Sequence, residues 1–161
     1  YIDGFLSLGE SDIAIFEHPL RSSVRQELIE CLLIGHFLFF DVLFSSVRLL
    51  TSKVQSLSLY ECNVIYFNLR SNVLAEFSDV WFVSYFYGVK RDQLYFSDAV
   101  VRANVKVCSL GQSHMRDVGG VFALHHHKTS VVTQRMKFFR RINKLSLVVL
   151  NVFGFNSTFR S

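Results

Sequence analysis

The chain has 161 residues, half of them hydrophobic and 19% charged, which is enough for one domain with a buried core and argues against a multi-domain architecture. Its net charge of +4 conceals an asymmetry: residues 1–101 carry seven bases and twelve acids, a balance of −5, whereas residues 102–161 carry ten bases and one acid, a balance of +9. Cys31, Cys62 and Cys108 are odd in number and far apart, which speaks against a disulfide framework or a Cys-x-x-Cys zinc site and suits a reducing compartment.

Residues 1–21 alternate short apolar runs with Gly4, Gly9 and Pro19 and read as an irregular lead-in; the mixed, acidic start at Tyr1 reads as free of an intact secretory or transit peptide. Ser23 and Gln26 have capping-box spacing directly ahead of an apolar run, so a helix is expected from Val24 to about Leu50. Residues 28–47 hold thirteen Leu, Ile, Phe and Val and are the one serious candidate for a membrane span. Glu30 and Asp41 near mid-span each take back about 2.5–3.5 kcal/mol of insertion energy. That makes insertion marginal, and a helix buried in a large assembly is the preferred reading. Glu27, Glu30, Asp41, Ser45 and Arg48 share one narrow arc at 100° per residue and read as that helix's polar stripe rather than as an acid/base pair.

From Thr51 to Tyr66 the alternation of Val54, Leu57 and Leu59 suggests a turn or short strand. The aromatic run over 67–90, with Phe77, Trp81, Phe82, Tyr85, Phe86 and Tyr87, carries Glu76 and Asp79, is too short to cross a bilayer, and ends at Gly88. Asp92 to Arg102 reads as a short helix with Leu94, Tyr95, Ala99 and Val101 as core candidates.

The most informative stretch runs from Arg102 to Ile142, with eight bases against the single acid Asp117. Gly119-Gly120 at its middle supplies the positive φ that a tight hairpin turn needs, flanked by Val105, Val107 and Val118 on one side and Val121, Phe122, Leu124, Val131 and Val132 on the other. A two-stranded arm over about 105–132 is expected, carrying Arg116, His125, His126, His127 and Lys128, followed by a basic helix. The tail from Arg140 to Ser161 reads as one more helix, closed by Gly154. The fold expected is therefore mainly α, a single helical domain over 1–161 with one protruding β-hairpin arm.

Chemical motifs are sparse. His125 and His127 would share a strand face and, with His114 or Cys108 opposite, could ligate zinc, but three consecutive His lack ligand spacing, so no metal is expected. Gly119-Gly120 lacks the rest of a phosphate loop, and Ser109, His114 and Asp117 have no nucleophile-elbow spacing. No enzyme, cofactor or small-molecule substrate is expected. The residues expected to meet RNA are Arg102, Lys106, Arg116, His125, His127, Lys128, Arg135, Lys137, Arg140 and Arg141. Phe138-Phe139 beside Arg140-Arg141 is the pattern of a helix that packs with its rings and binds phosphate with its guanidiniums.

Leu28-Ile29-Glu30-Cys31-Leu32-Leu33 with Gly35-His36, Phe96, Ala99, Asn104-Val105-Lys106, Val118-Gly119-Gly120, Arg135, Arg141-Ile142, Phe155 and Phe159-Arg160 follow one another in an order that resembles the small-subunit ribosomal protein seven family. Phe37 and Leu38 stand where that family has lysines, and the resemblance covers about half the chain. Tyr87-Gly88-Val89, Gln93-Leu94 and the segment 145–160 are also similar to small-subunit ribosomal protein four. Ser56-Leu57-Ser58-Leu59-Tyr60-Glu61-Cys62 resembles a loop of the small third membrane chain of respiratory NADH dehydrogenase, although Lys90, Arg91 and Asp92 fall where its second span would lie. The ribosomal resemblances imply an rRNA-binding structural part of a small subunit, contacting neighbouring ribosomal proteins through the acidic, apolar N-terminal half. Seventeen Phe and a single Pro suit an organelle-encoded gene, hence a mitochondrial ribosome. The alternative is a small membrane subunit of a mitochondrial respiratory complex, carried by residues 28–47.

Overall fold

The structure, a computed structural model, describes residues 9–112 and 133–152. In chain order these form β1 (Ile13–Glu17), α1 (Val24–Ile34), α2 (Phe39–Ser45), a 3-10 turn (Val47–Leu50), the four-residue α3 (Ser52–Gln55), β2 (Tyr60–Phe67), α4 (Leu74–Tyr87), α5 (Asp92–Arg102), β3 (Val107–Gln112) and α6 (Gln134–Val152). The described residues are mainly α, with a three-stranded mixed sheet of order β2-β1-β3 in which β2 runs antiparallel and β3 parallel to β1.

Three expectations are corrected. The irregular lead-in contains β1, the central strand of the sheet; Ile13, Ala14, Ile15 and Phe16 are all buried, so both faces are covered and the run shows no alternation. The helix expected over 24–50 is broken at Gly35. There φ is +77°, the Gly35 amide donates to Leu32 and the His36 amide to Cys31, which is a Schellman closure. Asp41 then accepts from the Leu38 amide at 2.8 Å and starts α2 afresh. The segment offered as a membrane span is thus two helices of 11 and 7 residues with a turn between them, and among the described residues no helix is long and apolar enough to cross a membrane. Finally, the first strand of the expected arm, β3, is laid against β1 from Ile13↔Val107 to Glu17↔Gln112 and so belongs to the body's sheet. The hairpin tip Gly119-Gly120 and its second strand lie outside the described residues. So do the zinc candidates His114, His125 and His127, and no metal-binding cluster exists among the described residues.

The helix expected over Asp92–Arg102 is α5, residue for residue, although Val101 is exposed whereas Leu94, Tyr95 and Ala99 are buried. The basic helix and the tail helix are one continuous α6. Two apolar clusters hold the body. Ile13 and Ile15 of β1 pack with Phe77, Phe96, Ala99 and Ala103, where Phe77, Trp81 and Phe96 meet pairwise at 5.2–5.6 Å, two of the three contacts edge-on. Leu28 and Leu32 of α1 pack with Phe37, Phe39, Val42, Leu49, Val54, Leu94 and Tyr95.

Gly88, which ends α4, is dictated by Tyr95. The Tyr95 hydroxyl bonds Ser46 Oγ at 2.6 Å, and that same Oγ accepts from the Val89 amide at 3.1 Å, so the ring is drawn over the Gly88 backbone. A Cβ at Gly88 would run into the Tyr95 hydroxyl and lie 2.6 Å from the Ser84 carbonyl oxygen. Gly88→Ala is therefore expected to lower stability by about 1–3 kcal/mol, the cost of overpacking a closed site, read as a fall in the urea midpoint at unchanged m-value.

Candidate nucleic-acid interface

Helix α6 is fastened to the body by its polar inner face. Asn143, fully buried, donates through Nδ2 to the carbonyls of Leu32 (2.9 Å) and Phe37 (2.7 Å), while its Oδ1 accepts from the Phe39 amide at 2.8 Å. The Leu32 carbonyl, which also accepts from the Gly35 amide, lies at the end of α1, and the Phe37 carbonyl and Phe39 amide lie where α2 begins, so a single side chain ties the two helix termini together. The helix lies so close to the turn that a Cβ at Gly35 would run into the Met136 carbonyl and sit 3.1 Å from the Arg140 amide. Met136, Phe139, Asn143 and Ser146 make up this buried or half-buried side.

On the opposite side Lys137, Arg141 and Lys144 are exposed at i, i+4 and i+7, which stacks three cations into a ridge along about two turns. Phe138, Leu145 and Val148, also exposed, flank it. Beside the start of α6 opens a cleft of about 430 Å³, lined by His36, Phe37, Asp41, Ser45, Gly88 to Arg91, Arg135 and Phe139. Its cations are fixed in different ways. Arg135 lies 5.0 Å from the centre of the Phe139 ring. Lys90 sits over the Tyr85 and Phe86 rings at 5.3 and 5.0 Å and donates to both their carbonyls, at the negative end of α4. Arg91 is held by Glu27, whose charge keeps the guanidinium's pKa raised despite the burial that opposes it. Burial of its inner side and, next, the nearby Arg91 hold His36 below its ordinary value, so at neutral pH it offers the cleft a hydrogen-bonding ring rather than a charge. The only carboxylate among the lining residues, Asp41, is engaged with the Leu38 amide.

The residues expected to meet RNA are thus distributed over separate places. Arg135 lines the cleft, and Lys137 and Arg141 stand on the ridge. Arg140 donates through Nε to the Leu33 carbonyl at 2.9 Å, a cation at the C-terminus of α1, and so helps to hold α6 as well as facing solvent. Arg102 is exposed at the last residue of α5, whose first turn follows Arg91, so the two arginines are about 16 Å apart along the helix axis. Lys106, exposed before β3, lies 3.7 Å from the exposed Glu10 carboxylate. Arg116, His125, His127 and Lys128 lie outside the described residues.

Comparison with known proteins supplies no relative. No family model matches the chain, and neither a curated protein nor a solved structure does.

Lys144, Lys90 and Arg91 were not among the residues expected from the sequence to meet RNA. Lys144 was findable, since it is three residues from Arg141 and seven from Lys137 on a helix already expected to be basic. Lys90-Arg91 sits in the half whose charge balance is negative, and only the fold turns that pair toward Arg135.

Proposed function

We propose that the chain is a non-enzymatic, rRNA-binding structural component of the small subunit of a mitochondrial ribosome. The observation that carries this reading is the exposed ridge of Lys137, Arg141 and Lys144, flanked by the cation-lined cleft of Lys90, Arg91 and Arg135. Cations at successive helical turns suit the repeating charge of a nucleic-acid backbone, and each phosphate neutralised releases counterion. Phe40, Leu43, Phe44 and Val47 are exposed on and just after α2, an apolar surface of the kind a chain presents to neighbouring proteins in a large particle.

Lys137→Gln/Arg141→Gln/Lys144→Gln is expected to lower the slope of log K against log salt by about 2–3 for any rRNA fragment, weakening binding to all sequences nearly alike. The fold is expected to survive, because none of the three side chains faces the body. Filter binding from 50 to 300 mM KCl reads the slope, and an unchanged slope refutes the assignment of the ridge. In isolated organelles the tagged chain is expected to follow small-subunit rRNA through a sucrose gradient. Retention with lipid after nuclease treatment and carbonate extraction would instead favour the membrane subunit.

A further inference from the structure

A second cleft, of about 590 Å³, opens on the other side of Lys90-Arg91 and is lined by Ser78, Trp81, Phe82, Tyr85, Lys90, Arg91 and Asp92. Its wall is aromatic and its rim is charged. Trp81 is fixed from behind by its indole N–H, which donates to the Asp92 carbonyl at 3.1 Å, and by its edge-on contact with Phe96. Phe82 stacks on Phe86 at 5.8 Å with 64% of its surface exposed, and Tyr85 is 37% exposed. Aromatic surface left open to this extent costs free energy unless something covers it.

The rim decides between occupants. A purely apolar peptide side chain would use the rings but offer nothing to the charges of Lys90, Arg91 and Asp92 on the rim. A cationic ligand is disfavoured, because Lys90 and Arg91 put two positive charges on the rim against the single Asp92. A planar ring that carries an anion beside it and hydrogen-bonding groups on its edge uses all of them. Lys90 and Arg91 also line the first cleft, so a phosphate held at these two residues lies between the aromatic wall on one side and Arg135 on the other.

We infer that the aromatic cleft takes one unpaired nucleotide of a single-stranded RNA segment, its base against Trp81, Phe82 and Tyr85, its phosphate on Lys90 and Arg91, and its edge within reach of Ser78 and Asp92. This rests on the RNA-binding reading and adds to it a discrimination between unpaired and paired strands, because a base within a duplex presents no free face.

Trp81 is the chain's single tryptophan, so tryptophan emission comes from this cleft's wall and from no other site. The full chain is titrated with an eight-nucleotide single-stranded RNA, a blunt duplex of the same length, adenosine monophosphate and inorganic phosphate. The expected result is saturable quenching by the single strand, weak quenching by the mononucleotide at far higher concentration, and none by duplex or phosphate. Phe82→Ala and Tyr85→Ala are each expected to weaken single-strand binding about tenfold to a hundredfold, the loss of a stacking partner, while the salt slope of duplex binding stays as it was. Because both side chains reach solvent, neither change should unfold the protein, and circular dichroism checks this. Single-strand binding without quenching, or equal quenching by duplex, overturns the nucleotide cleft and leaves the ridge assignment standing. If instead the cleft is a protein-docking surface, both alanine variants bind single strand like the parent, which also overturns it. Failure of every RNA to bind at 50 mM salt overturns both readings.

Discussion

Glu27→Gln is expected to remove about 3 kcal/mol of stability, because the glutamate is the shared anion of a buried ion cluster. Its carboxylate is 1% exposed and lies 2.7 Å from Arg21 Nε and 2.7 Å from Arg91 Nη2. Arg91 passes a further bond to Gln93, and the Cys31 thiol donates to the same carboxylate at 3.4 Å. The cluster therefore ties the segment after β1, the first turn of α1 and the start of α5 at one point. An amide of equal volume leaves two guanidiniums facing each other with no charge between them. The figure stands at the low end of what breaking a buried pair costs, since Arg21 and Arg91 remain 21% and 33% exposed and water screens them in part.

The acid dependence of this contribution follows from the direction of the Glu27 pKa. Burial alone would raise it, but Arg91 and then Arg21 outweigh burial and hold it below the ordinary value of 4.5. The unfolded chain then binds the proton more readily than the folded one. The contribution is complete above about pH 4.5 and is lost as the pH falls from there through the lowered folded value. Urea midpoints of parent and Glu27→Gln should differ widely at pH 7 and draw together at pH 3. A gap that stays constant between those values would show that the cluster contributes nothing through charge. The neighbouring thiol gives an independent reading: burial, and after it the Glu27 charge, push Cys31 up to about 12, so it should resist alkylation in the parent until the chain unfolds.

Asn143→Asp is the second change with a large expected effect, again about 3 kcal/mol, and it acts on a different joint. The side chain keeps its shape and loses its two N–H donors, so the carbonyls of Leu32 and Phe37 face a carboxylate oxygen in a site closed to water. The loss should fall on α6 first, because Asn143 reaches back more than a hundred residues to the turn that carries that helix. Hydrogen exchange is expected to open residues 134–152 while α5 and the sheet stay protected. Uniform loss of protection across the chain would mean that α6 and the body fold as one unit.

What could be read from the sequence was what depends on neighbours in the chain. Ser23 caps α1 as its spacing with Gln26 suggested, the Gln26 amide donating to Ser23 Oγ at 3.4 Å, although Gln26 Oε1 accepts from the Ser22 amide rather than from that of Ser23. Gly88 ended its helix, and Asp92–Arg102 was found whole, because capping and local turns announce themselves within a few residues. Glu27 was read as one member of a helix's polar stripe, whereas it is the buried anion between two arginines. Its partners Arg21 and Arg91 lie six and 64 residues away, and no spacing rule connects an acid in one helix to a base at the start of another. β1 escaped because a strand covered on both faces carries no period-two signal, and the turn at Gly35 was passed over because the apolar run continues straight through it. The basic ridge was visible as helical spacing. The cleft beside it was not, since residues 36, 41, 90, 91 and 135 meet only after α6 has docked, and the aromatic cleft was passed over although its lining lies within residues 78–92.

The order β2-β1-β3 also sets a timetable for the ribosome that makes this chain. β1 leaves the exit tunnel before both its partners: the antiparallel one begins at residue 60 and the parallel one at residue 107, with Asp12 and Lys106 bonded across 94 positions of sequence. At about 5–20 residues per second, the most apolar strand of the sheet waits roughly 5–20 seconds for its last neighbour, with one edge unpaired throughout. Pairing over such a separation also carries a large loop-closure cost, which places the completion of the sheet among the slowest steps of folding. Until β3 arrives, that edge is open to strand-to-strand association.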